Sequence, residues 1–265
     1  MDLVLDVKNI TMNFGGLKAL DRVNLHIRQG EIAALIGPNG AGKTTLFNCL
    51  TGIYAPSAGD ILLHLPDTKP KRLNGLKIST ITSLGVARTF QNIRLFGGMT
   101  VLENVMIGRH ARSKSGILGA IFRPPATRVE EKAIVDKSYA ILEYIDLAQY
   151  VNELAKNLPY GAQRRLEIAR ALATEPRLLL LDEPAAGMNP QETRELEGLL
   201  VKLQADHKLS ILLIEHDMKL VMNLARNIFV LDYGEEIARG TPQEIRHNPA
   251  VIKAYLGEEA DAEIG

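Results

Sequence analysis

The chain has 265 residues, which is enough to bury a substantial core in one domain with subdomains or in two domains. Its 31 Lys and Arg residues balance 31 Asp and Glu residues, so the formal net charge of zero gives no overall attraction to nucleic acid or anionic lipid. The single cysteine, Cys49, excludes an internal disulfide, and no apolar run approaches the roughly 18 residues that span a bilayer. We therefore expect a chain that is soluble or is held at a membrane only by a partner.

The N-terminal part of the chain predicts two strands and then a strand that leads into a helix. Apolar residues recur over residues 4–12 and alternate over 23–27, with a turn at Phe14-Gly15-Gly16 between them. The apolar run over 32–36 indicates a buried strand, and a helix follows from residue 45. Phe14 is either a core residue or a flat surface on which adenine stacks, and the residues alone leave both alternatives open.

A glycine-rich turn joins that third strand to the helix. Its sequence is Gly37-Pro38-Asn39-Gly40-Ala41-Gly42-Lys43-Thr44. The glycines let successive backbone N–H groups point inward around an anion, and the helix adds its positive N-terminal end. Lys43 supplies a charge for the β- and γ-phosphates, and the hydroxyl of Thr44 suits Mg²⁺. We predict that the segment from Gly37 through Thr45 binds a nucleoside triphosphate.

The middle of the chain predicts short elements, a basic segment and one longer helix. The short elements are a strand over 61–63, a surface loop over 66–75, a helix over 78–84 and a strand over 86–91 that ends at Gln91. Residues 109–131 place basic side chains around an apolar run, which is typical of a solvated loop with a small amphipathic helix or of a docking surface near membrane headgroups. Apolar spacing predicts an amphipathic helix over 129–147.

Two apolar strands in the second half of the chain end in titratable side chains. The strand over 178–181 is followed by Asp182 and Glu183, and the strand over 211–214 leads to His216. Strands that alternate with helices indicate a mostly parallel sheet covered on both faces, in which ligands bind beyond the carboxyl ends of the strands. Lys43, Asp182 and His216 each follow such an end, so they can converge on one site.

The chemistry of these side chains fits a triphosphate. Asp182 is placed to hold Mg²⁺ opposite Thr44, directly or through water. Glu183 can orient or deprotonate a water that attacks the γ-phosphate, the alternative being an ion pair or a cap. His216 is either a core histidine or a γ-phosphate contact, and its place in the same cleft favours the contact.

The order of these motifs resembles that of ABC transporter ATPases over nearly the whole chain. The matching parts are Gly37 to Thr44 as Walker A, Gln91 as the Q-loop, Leu158 to Leu172 as the signature, Asp182-Glu183 as Walker B and His216 as the switch histidine. The resemblance implies an α/β P-loop NTPase with a mostly parallel sheet flanked by helices, an N-terminal antiparallel β subdomain and a helical subdomain. One domain, 1–265, would then hold an ATP-binding core at 1–90 and 159–240, the helical subdomain at 91–158, and a C-terminal helix and tail at 241–265.

The same resemblance implies roles for individual residues. Phe14 would stack on adenine, Glu183 would be the catalytic carboxylate assisted by His216 and Gln91, and Gln91 would join Thr44 and Asp182 at Mg²⁺. The signature would bind ATP that is held by a partner ATPase. Its binding residues would be Pro159, Tyr160, Gly161 and Ala162.

The chain departs from the family pattern, whose signature usually has the sequence Leu-Ser-Gly-Gly-Gln and here has the sequence Leu158-Pro159-Tyr160-Gly161-Ala162. Pro159 has neither the hydroxyl of the usual serine nor a backbone N–H, and Ala162 stands where Gln is usual. The backbone of Gly161 and the helix N-terminus remain available to a phosphate. Asn189 replaces the usual Asp of the D-loop.

A finer likeness connects the chain with the larger ATP-binding subunit of bacterial high-affinity branched-chain amino-acid importers. The segments that carry it are residues 88–91, 182–187, 214–218 and 248–257, together with the basic insertion after Gly108. This likeness implies a second ATPase subunit in a hetero- or homodimer, two transmembrane permease subunits, an external solute-binding protein and no nucleic acid. It implies a peripheral place on the cytoplasmic face of the inner membrane, where ATP-driven dimer closure would be coupled to transport.

Two other classes of function compete with this interpretation. A soluble ABC-type ATPase that acts on ribosomes or DNA usually has two ATPase units or long coiled coils, whereas this chain has one P-loop and no heptads. A small-molecule P-loop kinase needs an acceptor pocket and no carboxylate after Walker B. Glu183 and the signature therefore argue against the kinase.

Overall fold

The computed structural model describes residues 2–110 and 125–262, with side chains described over 2–109 and 129–255. The strands are β1 (Leu3–Phe14), β2 (Leu17–Arg28), β3 (Ile32–Ile36), β4 (Ala58–Leu63), β5 (Lys71–Arg72), β6 (Val86–Arg88), β7 (Leu178–Asp182), β8 (Ser210–Ile214), β9 (Asn227–Asp232) and β10 (Glu235–Gly240). The helices are α1 (Lys43–Leu50), α2 (Ile78–Ser83), α3 (Val101–His110), α4 (Pro125–Tyr144), α5 (Tyr160–Leu172), α6 (Pro190–His207), α7 (Met218–Leu224), α8 (Pro242–Arg246) and α9 (Pro249–Ala262). The apolar run of the basic segment and the end of the predicted tail lie outside the described residues.

A parallel sheet carries the predicted site. Its strand order is β10-β9-β3-β8-β7-β6, and β10 alone pairs antiparallel, through the hairpin with β9 that Tyr233-Gly234 predicts. Asp182 at the end of β7 lies opposite Ile214 at the end of β8. Because these strands run in the same direction, their carboxyl ends lie at one edge of the sheet. The prediction of a mostly parallel sheet is confirmed.

An antiparallel sheet packs against one face of the parallel sheet. Its order is β2-β1-β4-β5, and β1 and β2 are each longer than their apolar patterns predict. The two sheets and α1 share one apolar core, in which Phe47 of α1 and Phe229 of β9 are among the largest fully buried side chains. A second core on the other face of the parallel sheet is covered by α6, α7 and α8.

Three predicted boundaries are wrong, each because of a hydrogen bond or a backbone conformation that the sequence pattern does not show. The predicted loop over 66–75 contains β5, which pairs with β4. The strand predicted to reach Gln91 ends at Arg88, because the Thr89 N–H makes the last bond to the sheet, to the Leu180 carbonyl at 3.0 Å. The helix predicted over 129–147 ends at Tyr144, and Asp146 just beyond it takes a left-handed conformation with φ of 59°.

A third apolar core lies within the region 91–173. It is built mainly from buried side chains of α3, α4 and α5, among them Val105, Leu142 and Leu166. This arrangement agrees with a helical subdomain, whose proposed limits of 91–158 stay a prediction. Among the described residues, no helix combines the length and the apolar character that crossing a bilayer requires.

Gly108 of α3 provides a test of how closely α3 and α5 approach. A Cβ added there would lie 2.3 Å from the Arg170 carbonyl oxygen of α5, so Gly108→Ala should lower the free energy of unfolding by about 1–3 kcal/mol through overpacking. Gly198 on α6 has open space around it, so Gly198→Ala should raise that energy by about 0.5–1 kcal/mol. Urea denaturation measures both changes, and equal effects of the two substitutions would contradict the close approach of the helices.

Candidate active site

The phosphate-binding loop predicted from the sequence lies between the end of β3 and the start of α1. Gly42 precedes α1 in a left-handed conformation and makes no side-chain cap, so the N–H groups of the first helical turn are available to an anion. The Nζ of Lys43 donates to the carbonyls of Gly37 at 2.6 Å and Pro38 at 2.7 Å. Lys43 is buried and therefore folds back over the loop, where a β- or γ-phosphate would lie. Thr44, by contrast, is exposed.

The loop is braced from outside by Gly234, in the turn between β9 and β10. The Gly234 N–H donates to the Ala41 carbonyl at 3.1 Å, and its carbonyl accepts from the Asp21 N–H at 2.8 Å. Gly234 has a φ of +81°, and an added Cβ would lie 2.7 Å from the Ala19 carbonyl oxygen. A backbone this tightly enclosed fixes the position of the phosphate loop relative to β2.

Asp182 is paired with a buried arginine. The Nη2 of Arg88 lies 2.6 Å from Oδ2 of Asp182, and Nη1 of the same guanidinium donates to Oδ1 of Asn48 in α1 at 2.7 Å. The guanidinium also lies between the rings of Phe47 and Phe90, at 5.4 and 5.1 Å from their centroids. These contacts connect α1, the end of β7 and the segment that leads to Gln91.

Glu183 follows Asp182 and occupies the centre of the site. Its N–H donates to the Ile214 carbonyl at 2.9 Å, and its φ of 49° is unusual for a residue other than glycine. Oε2 accepts a hydrogen bond from Nε2 of Gln91 at 2.8 Å, and Oε1 lies 3.1 Å from Nε2 of His216. The structure thus brings together the three residues predicted to be catalytic, although their roles stay predictions.

A second carboxylate, that of Glu215, holds the backbone next to Glu183 and His216 in place. It is buried, and it accepts hydrogen bonds from the N–H groups of Ala185 at 2.7 Å and His216 at 3.1 Å. Burial raises the pKa of the Glu215 carboxyl, while the hydrogen bond from Ala185 and the one from His216 oppose that rise. Glu215 therefore holds the backbone after Glu183 against the backbone before His216.

The donor set suits Mg²⁺ only if a phosphate completes it. Within the two described ranges, no group of three or more His, Cys, Asp and Glu side chains could hold a metal alone. Arg88 donates a hydrogen bond to one carboxylate oxygen of Asp182, Oδ2. The other carboxylate oxygen of Asp182 and the hydroxyl of Thr44 are then the two hard oxygen ligands that the protein can offer. Mg²⁺ is usually bound by one or two such protein oxygens together with phosphate and water, so the residues fit this ion.

The four signature residues differ in how far they are exposed to solvent. Pro159 caps α5 and is exposed, and Tyr160 is 40% exposed. Gly161 packs against Glu192, because an added Cβ would lie 2.6 Å from Oε1 of that residue. The side chain of Ala162 faces the third apolar core and is only 4% exposed. In this conformation a contact between Ala162 and ATP would have to come from its backbone.

Phe14 lies at the end of the β1–β2 hairpin and not in a core. Its ring is 40% exposed and meets the ring of Tyr54 edge to face, with the centroids 5.1 Å apart. The Tyr54 N–H in turn donates to the Asn48 carbonyl of α1 at 3.1 Å. The exposed ring surface agrees with the predicted adenine platform, which no contact in the structure tests.

Several residues of the site were not assigned a role in it from the sequence. Arg88 and Glu215 carried only a family likeness, Arg164 lay within the signature segment without a role of its own, and Gly234 was assigned only to a hairpin. A signal exists for Arg88, since an arginine inside an apolar strand needs a buried partner. Asn189, the D-loop departure, caps α6 by accepting from the N–H groups of Gln191 and Glu192, so the substitution preserves a capping box.

Comparison with known proteins gives consistent results. The family model described as ABC transporter matches residues 20–186, and a model described as branched-chain amino acid ATP-binding cassette transporter matches residues 235–261. The high-affinity branched-chain amino acid transport ATP-binding protein LivG of Salmonella typhimurium is 50% identical over 96% of this chain and 98% of its own length. The corresponding protein BraF of Pseudomonas aeruginosa is 48% identical with the same coverage. A crystal structure of the ADP conformation of an ABC transporter cassette superimposes with a TM-score of 0.83 at 31% identity, covering 97% of this chain and 100% of the other.

The bracing of the phosphate loop by Gly234 can be tested with a matched glycine. Gly234→Ala should weaken nucleoside triphosphate binding by about tenfold or more, because the added Cβ pushes β2 and the loop apart. Gly75 has a similar φ of +72° but open space, so Gly75→Ala should carry the same backbone strain and leave binding unchanged. Equilibrium titration with a fluorescent ATP analogue measures the affinity. Equal losses in the two variants would mean that strain, and not the contact, is responsible.

Proposed function

The chain belongs to the ABC transporter family, and from that premise we propose that it is the ATP-hydrolysing subunit of an importer for branched-chain amino acids. The observation that carries hydrolysis is the position of the Glu183 carboxylate between Gln91 and His216, at the sheet edge next to the phosphate loop. A carboxylate held in this way is suited to receive a proton from water.

Binding of ATP is proposed to begin at the loop between β3 and α1. Lys43 exchanges its contacts with the Gly37 and Pro38 carbonyls for oxygens of the β- and γ-phosphates. The backbone N–H groups at the start of α1 take the remaining phosphate oxygens. Phe14 supplies a surface for adenine, a contact worth about 1–3 kcal/mol if the base stacks on the ring.

The proposed hydrolytic step depends on the orientation of Glu183. Each carboxylate oxygen can accept more than one hydrogen bond, so Glu183 can take a water while Gln91 and His216 keep their contacts. Since a carboxylate only accepts, Nε2 of His216 carries the proton that it donates to Oε1. Thr44, Asp182 and Gln91 would hold Mg²⁺, which would supply charge neutralisation at the β- and γ-phosphates. Glu183 holds the water in line with the γ-phosphate and accepts its proton.

The proposed partners follow from the signature. Pro159 and Tyr160 are exposed at the N-terminus of α5, on the outside of the chain, where they are accessible to a second ATPase subunit. We therefore expect two ATP molecules between two facing subunits, in a hetero- or homodimer that drives two permease subunits. An external solute-binding protein would deliver the cargo, and the chain would lie at the cytoplasmic face of the inner membrane. The names of LivG and BraF support branched-chain amino acids as that cargo.

Replacing the central carboxylate separates hydrolysis from binding. Glu183→Gln should lower steady-state ATP hydrolysis by about 10²–10⁴-fold, because the amide cannot accept the water's proton. ATP affinity should be retained, since the phosphate loop and Asp182 are untouched. The exposed Glu143 on α4 gives a matched control, and Glu143→Gln should hydrolyse ATP at the wild-type rate. Unchanged hydrolysis in Glu183→Gln would remove Glu183 from its proposed role.

The cargo is tested by uptake into cells that lack this chain. Restoring the wild-type gene should restore accumulation of radiolabelled leucine, in competition with unlabelled isoleucine and valine. The Glu183→Gln variant should fail to restore it at equal protein level, and Glu143→Gln should succeed. If leucine uptake does not depend on the chain while the purified protein still hydrolyses ATP, the proposed cargo would be contradicted. The proposed ATPase activity would not be affected by that result.

A further inference from the structure

Arg164 of α5 contacts several motifs of the site at once. The residue is only 4% exposed, and Nη1 donates to the Phe90 carbonyl at 2.9 Å and lies 3.4 Å from Oε2 of Glu167. Nη2 donates to the Gln91 carbonyl. The backbone around Gln91 is therefore fixed to α5 by a side chain from the second turn of that helix, and not only by the amide that reaches Glu183.

The same guanidinium donates to the hydroxyl of Tyr160. Nε lies 3.2 Å and Nη2 3.0 Å from the Tyr160 oxygen. Because arginine can only donate, the hydroxyl accepts these bonds and its own proton is directed elsewhere. It is donated to the carbonyl of Ala186 at 2.8 Å, three residues after Glu183. The hydrogen bonds thus have a fixed direction from Arg164 through Tyr160 to the loop after Glu183.

The ring of Tyr160 packs closely on that loop. Gly187 has a φ of +77°, and a Cβ added there would lie 3.3 Å from two ring carbons and the hydroxyl oxygen of Tyr160. Tyr160, Gln91, Arg164, Glu183 and Gly187 line one cleft of about 450 Å³. The usual family signature has glycine where this chain has Tyr160, so neither the hydroxyl nor the ring contact exists in a chain with that pattern.

We propose that Tyr160 is a positioning residue that couples the loop after Glu183 to the signature turn of the same chain. The loop after Glu183 belongs to the ATP site that this chain forms, whereas the signature, under the function proposed above, faces the ATP of the partner. A shift of the Ala186 carbonyl moves the Tyr160 hydroxyl and with it the first turn of α5. Tyr160 therefore passes the state of one ATP site to the other.

Hydrogen–deuterium exchange on the isolated full-length chain tests this coupling without a partner. In the wild type, Mg²⁺ with a non-hydrolysable ATP analogue should slow exchange over residues 37–45, over the loop 183–188 and over the signature turn 160–166. Tyr160→Phe removes only the hydroxyl and keeps the ring. In this variant the first two segments should respond as before, while the ligand-dependent slowing of 160–166 should fall by about fivefold, the factor that corresponds to one net hydrogen bond.

Tyr139 on α4 provides the matched control because its exposed fraction, 40%, equals that of Tyr160. Tyr139→Phe should give the wild-type response in all three segments. A ligand response of 160–166 that is unchanged in Tyr160→Phe, or absent from the wild type, would overturn the coupling while protection of 37–45 still supports ATP binding. If the ligand does not slow exchange over residues 37–45 in the wild-type chain, the proposed function would be contradicted. The proposed coupling, which rests on that function, would then be contradicted as well.

Discussion

The two contacts that hold the carboxylate of Glu183 are the interactions on which the site depends. One oxygen accepts from Gln91 and the other from His216, residues that lie 92 and 33 positions away in the chain. Both contacts require that β6, β7 and β8 are parallel neighbours whose carboxyl ends lie at one edge. Glu183 has a left-handed backbone conformation, with φ of 49°, and this strained conformation turns the chain at that edge. The sheet topology is thus the physical basis of the proposed catalytic arrangement.

A buried ion pair fixes the side of the same edge at which Mg²⁺ binding is proposed. Arg88 and Asp182 have side chains that are only 6% and 4% exposed, so removing either partner would leave an uncompensated charge and cost about 3–5 kcal/mol. Arg88 compensates for its own desolvation through the hydrogen bond to Asn48 and through the rings of Phe47 and Phe90. Arg94 stacks on Phe90 at 4.3 Å, and its N–H donates to Glu167 of α5 at 2.8 Å. The side at which Mg²⁺ binding is proposed and the helix α5 are therefore connected through one stretch of chain, residues 88–94.

The sequence allowed the parts of the site that depend on local pattern to be predicted. The apolar strands, the glycine-rich turn before Lys43 and the polar residues after β7 and β8 are local features, and the fold they imply is the one observed. The contacts of Arg164 and Tyr160 were not predicted, because their partners, Phe90, Gln91 and Ala186, are remote in the chain and are contacted at backbone carbonyls, which have no sequence signature. The strand predicted to reach Gln91 failed for the same reason, since Arg164 holds the carbonyls of 90 and 91 outside the sheet. Gly234 was assigned only to a hairpin, and its contact with the phosphate loop depends on tertiary packing.

Lys43, Glu183 and His216 are proposed to surround the same terminal phosphoryl group, and the rest of the proposed mechanism depends on that geometry. The most direct measurement is a crystal structure of the chain with Mg²⁺ and a non-hydrolysable ATP analogue. We expect Nζ of Lys43 on oxygens of the β- and γ-phosphates, and one water that contacts both the Glu183 carboxylate and the γ-phosphorus, with His216 beside it. A triphosphate bound at residues 37–45 with Glu183 and His216 out of reach of its terminal group would contradict the account.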